Sequence, residues 1–251
     1  MALRPDTLMF DTRDPLRVAS FWAGALEFEL DPDSDQTAAY IADPSKRTPG
    51  AFFQHVPEQK VVKNRVHLDL RPAGTMTEEV ERLRGLGAIE LHYVDEGTGW
   101  TVMADPEGAE FCVLRGGSEG GKRSRAGVDS LVIDSVDPFR AAGFWIRMLG
   151  YREHARAEWG IEIVGDRDDD PMMSFATVPE PKTVKNRIHL DVRPTDSMAA
   201  GVSRVKVLGG TERGFIRTDD SFWTQMRDVE GNEFCVLRGP EDGWSEDQVS
   251  T

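Results

Sequence analysis

The chain has 251 residues, 39% of them apolar, with 30 Lys+Arg against 44 Asp+Glu and a formal charge of −14. That balance supports packed cores and opposes nucleic acid or anionic membranes as partners, since both require a basic footprint. No stretch approaches the roughly 18 apolar residues of a membrane span, and MALRPDTLMF lacks the pattern of a secretory leader, so a cytoplasmic protein is expected.

In chain order, Leu8–Asp11 reads as a short strand. Asp14-Pro15 then opens a helix, with Asp suited to the N-cap and Pro to the first turn, and Val18, Phe21, Trp22 and Ala25 recur at helical spacing. Strand-like stretches follow at 27–31, 37–42 and 51–56, the last two divided by ADPSKRTPG. The pattern restarts with a strand at 65–71. Thr75-x-x-Glu78 is a capping box, and it leads a helix with Val80, Leu83 and Leu86 inward and Gly87 as its stop. Strands at 89–94, 100–103 and 110–114 complete a second βαβββ module.

The whole pattern then repeats. KNRVHLDLRP at 63–72 returns as KNRIHLDVRP at 185–194. ADPEGAEFCVLRG at 104–116 returns as RDVEGNEFCVLRG at 227–239, and DPLRVASFWAGAL at 14–26 as DPFRAAGFWIRML at 137–149. In the second copy Val202, Val205, Leu208 and Gly209 reproduce the helix that follows the first of these motifs. The expected organisation is α+β: two copies at 1–117 and 126–240, a Gly-rich charged linker at 118–125, a tail at 241–251, and four βαβββ modules in all. Cys112 and Cys235 occupy matching apolar strands and read as buried, reduced thiols.

Strand alternation sorts the ten-residue repeat. Val66, Leu68 and Leu70 point one way, toward the helices, and Arg65, His67, Asp69 and Arg71 the other. Ile188, Leu190 and Val192 oppose Arg187, His189, Asp191 and Arg193 in the same manner. Glu110 shares a face with Cys112, and Glu233 with Cys235. Paired modules can curl such polar faces around a cavity, where Trp100 and Trp223 are candidate walls, and Tyr40, Phe53 and Met103 further lining candidates. His55, whose counterpart is Thr177, reads as incidental; His92 and His154 read as solvated, and GDRDDDP at 165–171 as a solvated hairpin.

On the DP-x-x-x-A-x-FW-x-x-x-L segment, the NRVHLDLRP strand and the W-x-V-x-A-DPEG-x-EFCVL ending, the chain resembles the vicinal-oxygen-chelate superfamily, in its glyoxalase-like or bleomycin-resistance-like branch. The resemblance covers both copies and implies a fold. Its members include lyases, isomerases, dioxygenases, thiol transferases and drug-sequestering proteins. Metal-using members are similar in drawing ligands from the first strand of each module plus a glutamate of the last, which falls on Glu110 and Glu233 here. The first-strand histidine position falls on Thr7 and Ser130. The second-module ligand falls nearer Arg65 and Arg187, with His67 and His189 one same-face step on. A glyoxalase's fourth-strand carboxylate has no counterpart at Phe53–His55 or at Phe175, Ala176 and Thr177.

Three readings of the polar face stand side by side. His67, Glu110, His189 and Glu233 are ligands for Fe, Mn, Ni or Zn, with Asp69 or Asp11 as a third donor. Alternatively each His–Glu pair is a general base with its orienting carboxylate, or the face is a buried network that satisfies itself. Arg65, Asp69, Trp100, Arg187, Asp191 and Trp223 are the substrate-binding candidates. Two functional classes follow: a metal-assisted lyase, isomerase or dioxygenase acting on a small molecule, or a binding protein that sequesters one. A small-molecule ligand is the expected partner, and the chain is either a monomer with an internal pseudo-dimer or a homodimer. The sequence leaves open which modules pair.

Overall fold

The computed structural model describes residues 3–45, 48–117, 127–167, 170–219 and 221–245. The expected linker at 118–125, the last six residues of the tail and two positions of the 165–171 loop lie outside the described residues. Module 1 comprises β1 (Leu3–Thr12), α1 (Pro15–Leu26), β2 (Glu29–Leu30), β3 (Ala38–Ala42) and β4 (Gly50–His55). Module 2 comprises β5 (Val66–Arg71), α2 (Met76–Gly85), β6 (Ile89–Val94), β7 (Trp100–Ala104) and β8 (Glu110–Leu114). Module 3 runs through β9 (Gly127–Ser135), α3 (Pro138–Leu149), β10 (Arg152–Ala157), β11 (Gly160–Val164) and β12 (Met173–Thr177). Module 4 runs through β13 (Ile188–Pro194), α4 (Met198–Val207), β14 (Thr211–Arg217), β15 (Phe222–Arg227) and β16 (Glu233–Leu237). Four βαβββ modules are present, as the sequence pattern requires.

Local chemistry sets the helix ends. Asp14 and Asp137 accept from the N–H groups of Arg17 and Arg140 with Pro next in line, and Thr75 and Glu78 complete the capping box. Gly87 ends its helix with φ +107°. Leu86 departs from the expected inward face: it is 41% exposed and lies against Gly24 of α1. The first strand is longer than Leu8–Asp11 because Leu3–Pro5 also finds partners, pairing with Val192–Pro194 across a register shift between Pro5 and Thr7.

Within every module the first strand lies parallel to the last. Modules then join across the copies. β1 pairs antiparallel with β13, and β5 with β9, giving two eight-stranded sheets, β14-β15-β16-β13-β1-β4-β3-β2 and β10-β11-β12-β9-β5-β8-β7-β6. Neither copy forms a sheet of its own. Modules 1 and 4 build one sheet, modules 2 and 3 the other.

The apolar faces of both sheets and the four helices share one core. Trp22 of α1 packs on Phe10 of its own sheet and on Phe111 of the other, with ring centroids 5.7 and 5.2 Å away. Its indole N–H donates to Asp105 at 3.3 Å, and Trp145 donates to Asp228 at 3.2 Å. The helix FW pair and the DPEG-type turn are therefore halves of one contact. Phe53 and Met103 belong to this core and are wholly buried, so neither lines the polar face. Both cysteines are buried and free. No helix among the described residues is long and apolar enough to cross a membrane.

Two outcomes test this account. Asp228 accepts from Trp145 Nε1, the Glu230 and Asn232 N–H groups and Asn232 Nδ2. Asp228→Ala is expected to cost about 3–5 kcal/mol in denaturant unfolding, because buried donors lose their acceptor together. Glu27 is the one non-glycine with positive φ among the described residues, at +58°, where α3 uses Gly150. Glu27→Gly should raise stability by about 0.5–1 kcal/mol, and a lower midpoint would refute the strain argument.

Candidate functional site

The polar faces of both sheets look away from the shared core, and their central side chains are nonetheless sunk. His67 is 9% exposed, His189 8% and Asp191 5%. The connecting loops 56–65 and 178–187 are fastened to the neighbouring last strands. Lys60 donates to Glu110 at 2.7 Å and the Asn64 N–H to the same carboxylate at 3.0 Å; Lys182 and the Asn186 N–H hold Glu233 at 3.0 and 3.1 Å. The two loops clasp each other as well, Arg65 donating to the Glu180 carbonyl and Arg187 to that of Glu58.

Three positions of the ten-residue repeat are stitches between copies. Lys63 pairs with Asp134 and Lys185 with Asp11. Arg65 also donates to the Asp134 carbonyl at 2.8 Å. Arg71 makes a bidentate pair with Asp129 at 2.7 and 3.2 Å, and Arg193 with Asp6. Arg65 and Arg187, read from sequence as ligand-binding, are thus placed in the seam. Asp11, a candidate third ligand, is held by Lys185.

His and Asp of the repeat remain. The donor atoms of His67, Asp69 and Cys112 lie within 4.8 Å of one another, as do those of His189, Asp191 and Cys235. His67 Nε2 is 3.7 Å from Asp69 Oδ1, and His189 Nε2 is 3.3 Å from Asp191 Oδ1 and 3.7 Å from Cys235 Sγ. His67 Nδ1, His189 Nδ1, Asp69 Oδ1 and Asp191 Oδ1 are buried without a hydrogen-bond partner. The glutamates expected to join them are instead tied to the lysine loops, and the cysteine two residues on takes that place. The parity signal was present in the sequence, since Cys112 and Glu110 share a face. What it lacked was Lys60, fifty positions away, which claims Glu110.

Burial governs the titrations. It pushes the Asp69 carboxyl up to about 7, lowers His67 to about 4, and drives both thiols far above their ordinary value. Burial would also raise Glu233, but the Lys182 ammonium and the Asn186 N–H outweigh it and hold the group below its ordinary 4.5.

Around each cluster, Thr7 and Ser130 face Asp191 and Asp69 across the seam. Trp100 and Val102 share the face of Cys112, and Trp223 and Gln225 that of Cys235. Tyr40 lies on this face as expected, its neighbour being Phe52 in place of Phe53. A cleft of about 290 Å³ opens at the Arg71 end, lined by Glu27, Thr75, Glu78 and Arg82 among others, apart from the clusters. His55, His92 and His154 are exposed and belong to neither.

Paired βαβββ modules joined through their first strands, with a His–Asp–Cys cluster on the polar face beside each join, define the class of fold. The model of the glyoxalase-like domain matches residues 7–114 and again 130–237, and the chain belongs to that family as two tandem copies. Curated proteins yield no match. Among solved structures, glyoxalase I from Zea mays is 13% identical, with 96% of this chain and 94% of that one covered at a TM-score of 0.66. A putative dioxygenase from Bacillus subtilis is 14% identical, with 95% and 86% covered and the same TM-score. These likenesses establish the fold.

The Lys182–Glu233 latch yields a testable outcome. Lys182→Met leaves the buried carboxylate only the Asn186 N–H and Arg227, 3.8 Å away, and is expected to cost about 1–3 kcal/mol, whereas Lys182→Met with Glu233→Leu should recover most of it. Because Glu233 is held below 4.5, the stability it adds is present above that pH and is lost on acidification below it. The double variant should lack that acid-side loss, as read by unfolding midpoints between pH 3 and 6.

Proposed function

We propose that the polar face at each seam forms a recess that holds a divalent metal on its His, Asp and Cys and binds a small organic molecule presenting paired oxygens, for a lyase, isomerase or dioxygenase reaction. One observation carries the reading. In both copies the only charged or titratable positions of the repeat not spent on stitching are His and Asp, and these converge, partly unpartnered, on a thiol.

The donor set fits such an ion. Metal–ligand lengths of about 2.0–2.3 Å at a tetrahedral centre require ligand–ligand edges of about 3.4 Å for N···O and about 3.6 Å for N···S. The measured separations are 3.3 and 3.7 Å in one recess, with N···O at 3.7 Å in the other. Three protein donors leave a position for substrate. When bound, the ion would supply Lewis-acid stabilisation of developing negative charge on a substrate oxygen. The protein's own part is to sink the donors below the Lys60 and Lys182 loops, keep water out and present tryptophan walls. Among Fe, Mn, Ni and Zn, the thiolate favours Zn. Glu110 and Glu233 act in this reading as latches that position the loops.

A second reading, sequestration of a small molecule without turnover, is favoured by Thr7 and Ser130, which offer hydroxyls where a further ligand would stand.

Metal content of tag-free protein, followed by Co²⁺ titration of the stripped chain, separates the two. Two equivalents per chain with a thiolate charge-transfer band are expected. That band should halve in Cys112→Ser and vanish when Cys235→Ser is added, and one of the two equivalents should leave with His67→Ala but neither with Glu110→Gln. No uptake even after reconstitution would sink the metal reading and leave sequestration.

A further inference from the structure

We propose that the first copy contains a built site for one water molecule, beneath the loop that carries Lys60, at the point where the second copy places the side-chain amide of Asn232. The site lies apart from the His–Asp–Cys clusters and does not depend on them.

β1, α1, the turn between β7 and β8 and both connecting loops line a cavity of about 10 Å³, room for one water. Asn64, Asp105, Glu107, Ala109 and Arg187 are among its lining residues. The two copies differ at this point. In the second, Asn186 Nδ2 donates to Asn232 Oδ1 at 3.0 Å, and Asn232 Nδ2 donates to Asp228 Oδ2 at 3.0 Å. A single amide therefore accepts from the loop and donates to the buried aspartate. In the first copy Asn64 and Asp105 keep the positions of Asn186 and Asp228, but Ala109 stands where the other has Asn232. Asn64 is 6% exposed, and its Nδ2 has no acceptor among the described residues. Asp105 Oδ2 accepts from Trp22 at 3.3 Å and lacks the amide donor that Asp228 has.

The arginines diverge at the same place. Arg65 Nη2 donates to the Asp134 carbonyl at 2.8 Å. Arg187 Nη2 is buried without an acceptor among the described residues and lies 4.0 Å from Glu107 Oε2. That separation is too long for a hydrogen bond and suits one bridging water about 2.8 Å from each atom.

Chemistry selects the ligand. Both unpaired groups are donors, so the ligand must accept twice, while the carboxylates of Asp105 and Glu107 require it to donate. Water does both. An anion accepts but cannot donate, and Asp11, Asp105 and Glu107 outnumber Lys60 and Arg187 along the lining. A cation would meet two N–H donors. The water also steadies the loop, because the Asn64 side chain is anchored by it while the Asn64 backbone N–H holds Glu110 at 3.0 Å. The second copy achieves the same with protein atoms alone.

Water–protein NMR contacts of the full chain, detected at the side-chain amide protons of Asn64 and Asn186, test the site. A bound water that outlives molecular tumbling gives laboratory-frame and rotating-frame cross-peaks of opposite sign, unlike surface water. Asn64 is expected to show this contact and Asn186 none, a comparison within the native chain that stands even if a variant fails to fold. Ala109→Asn should abolish the contact at Asn64, and Asn232→Ala should create one at Asn186. A native Asn64 without the contact, a contact that persists in Ala109→Asn, or an Asn186 still without one in Asn232→Ala overturns the site. An Asn64 signal that titrates with chloride makes it an anion site and overturns the assignment to water.

Discussion

The antiparallel join between first strands of different copies is the constraint on which the rest depends. β1 meets β13 and β5 meets β9, and each seam is closed by a bidentate arginine–aspartate pair at one end and a lysine–aspartate pair at the other. The arginine pairs are largely shielded from water, where the fork geometry of guanidinium and carboxylate counts most. Hydrophobic alternation fixes which face is inward; the charged ends fix which residue stands opposite which. A slip of one residue would turn the histidine into the apolar core and the residues on either side of it onto the polar face.

A second interaction, within each copy, sets the sheets against each other. Trp22 and Trp145 each reach from a helix on one sheet to a buried aspartate at the β-turn of the other, and Phe111 or Phe234 closes the contact. Sheet formation therefore ties copy to copy while core formation ties module to module inside a copy. Because the two ties run between different pairs of modules, all four are locked together, and the loops at 56–65 and 178–187 must cross from one sheet to the other. That crossing delivers Lys60 and Lys182 to the glutamates.

Much of this was legible from sequence: the four βαβββ modules, the helix caps, the sorting of the repeat into an apolar and a polar face, and the family. The partner of each module was not. All four modules carry the same binary pattern, so any first strand could complete any other, and the discriminating charges lie dozens of residues apart. The Phe52-Phe53 pair was ambiguous because two adjacent aromatics fit either phase, and only pairing with Met9 and Phe10 decides it. The Lys60 partner of Glu110 was out of reach of the sequence for a related reason. Parity put Glu110 on the right face, but its nearest cation came from a loop with no periodicity to locate it.

The repeat itself separates two kinds of constraint. Lys, Arg and the distal Arg in KNR-x-HLD-x-RP bind the other copy, so any loss opens a seam, and both copies retain them. His and Asp have no such duty and leave buried polar atoms unpaired, a standing cost of about 1–3 kcal/mol for each such group. Stability alone would trade such groups for apolar ones of similar shape, as it can with many buried polar networks. Strand positions level with the histidines behave oppositely: Met9, Phe52 and Tyr40 in one sheet stand where the other has Val132, Ser174 and Glu162, and the fold accepts either set. The seams are alike because each must hold one copy to the other, and the clusters are alike although no seam depends on them.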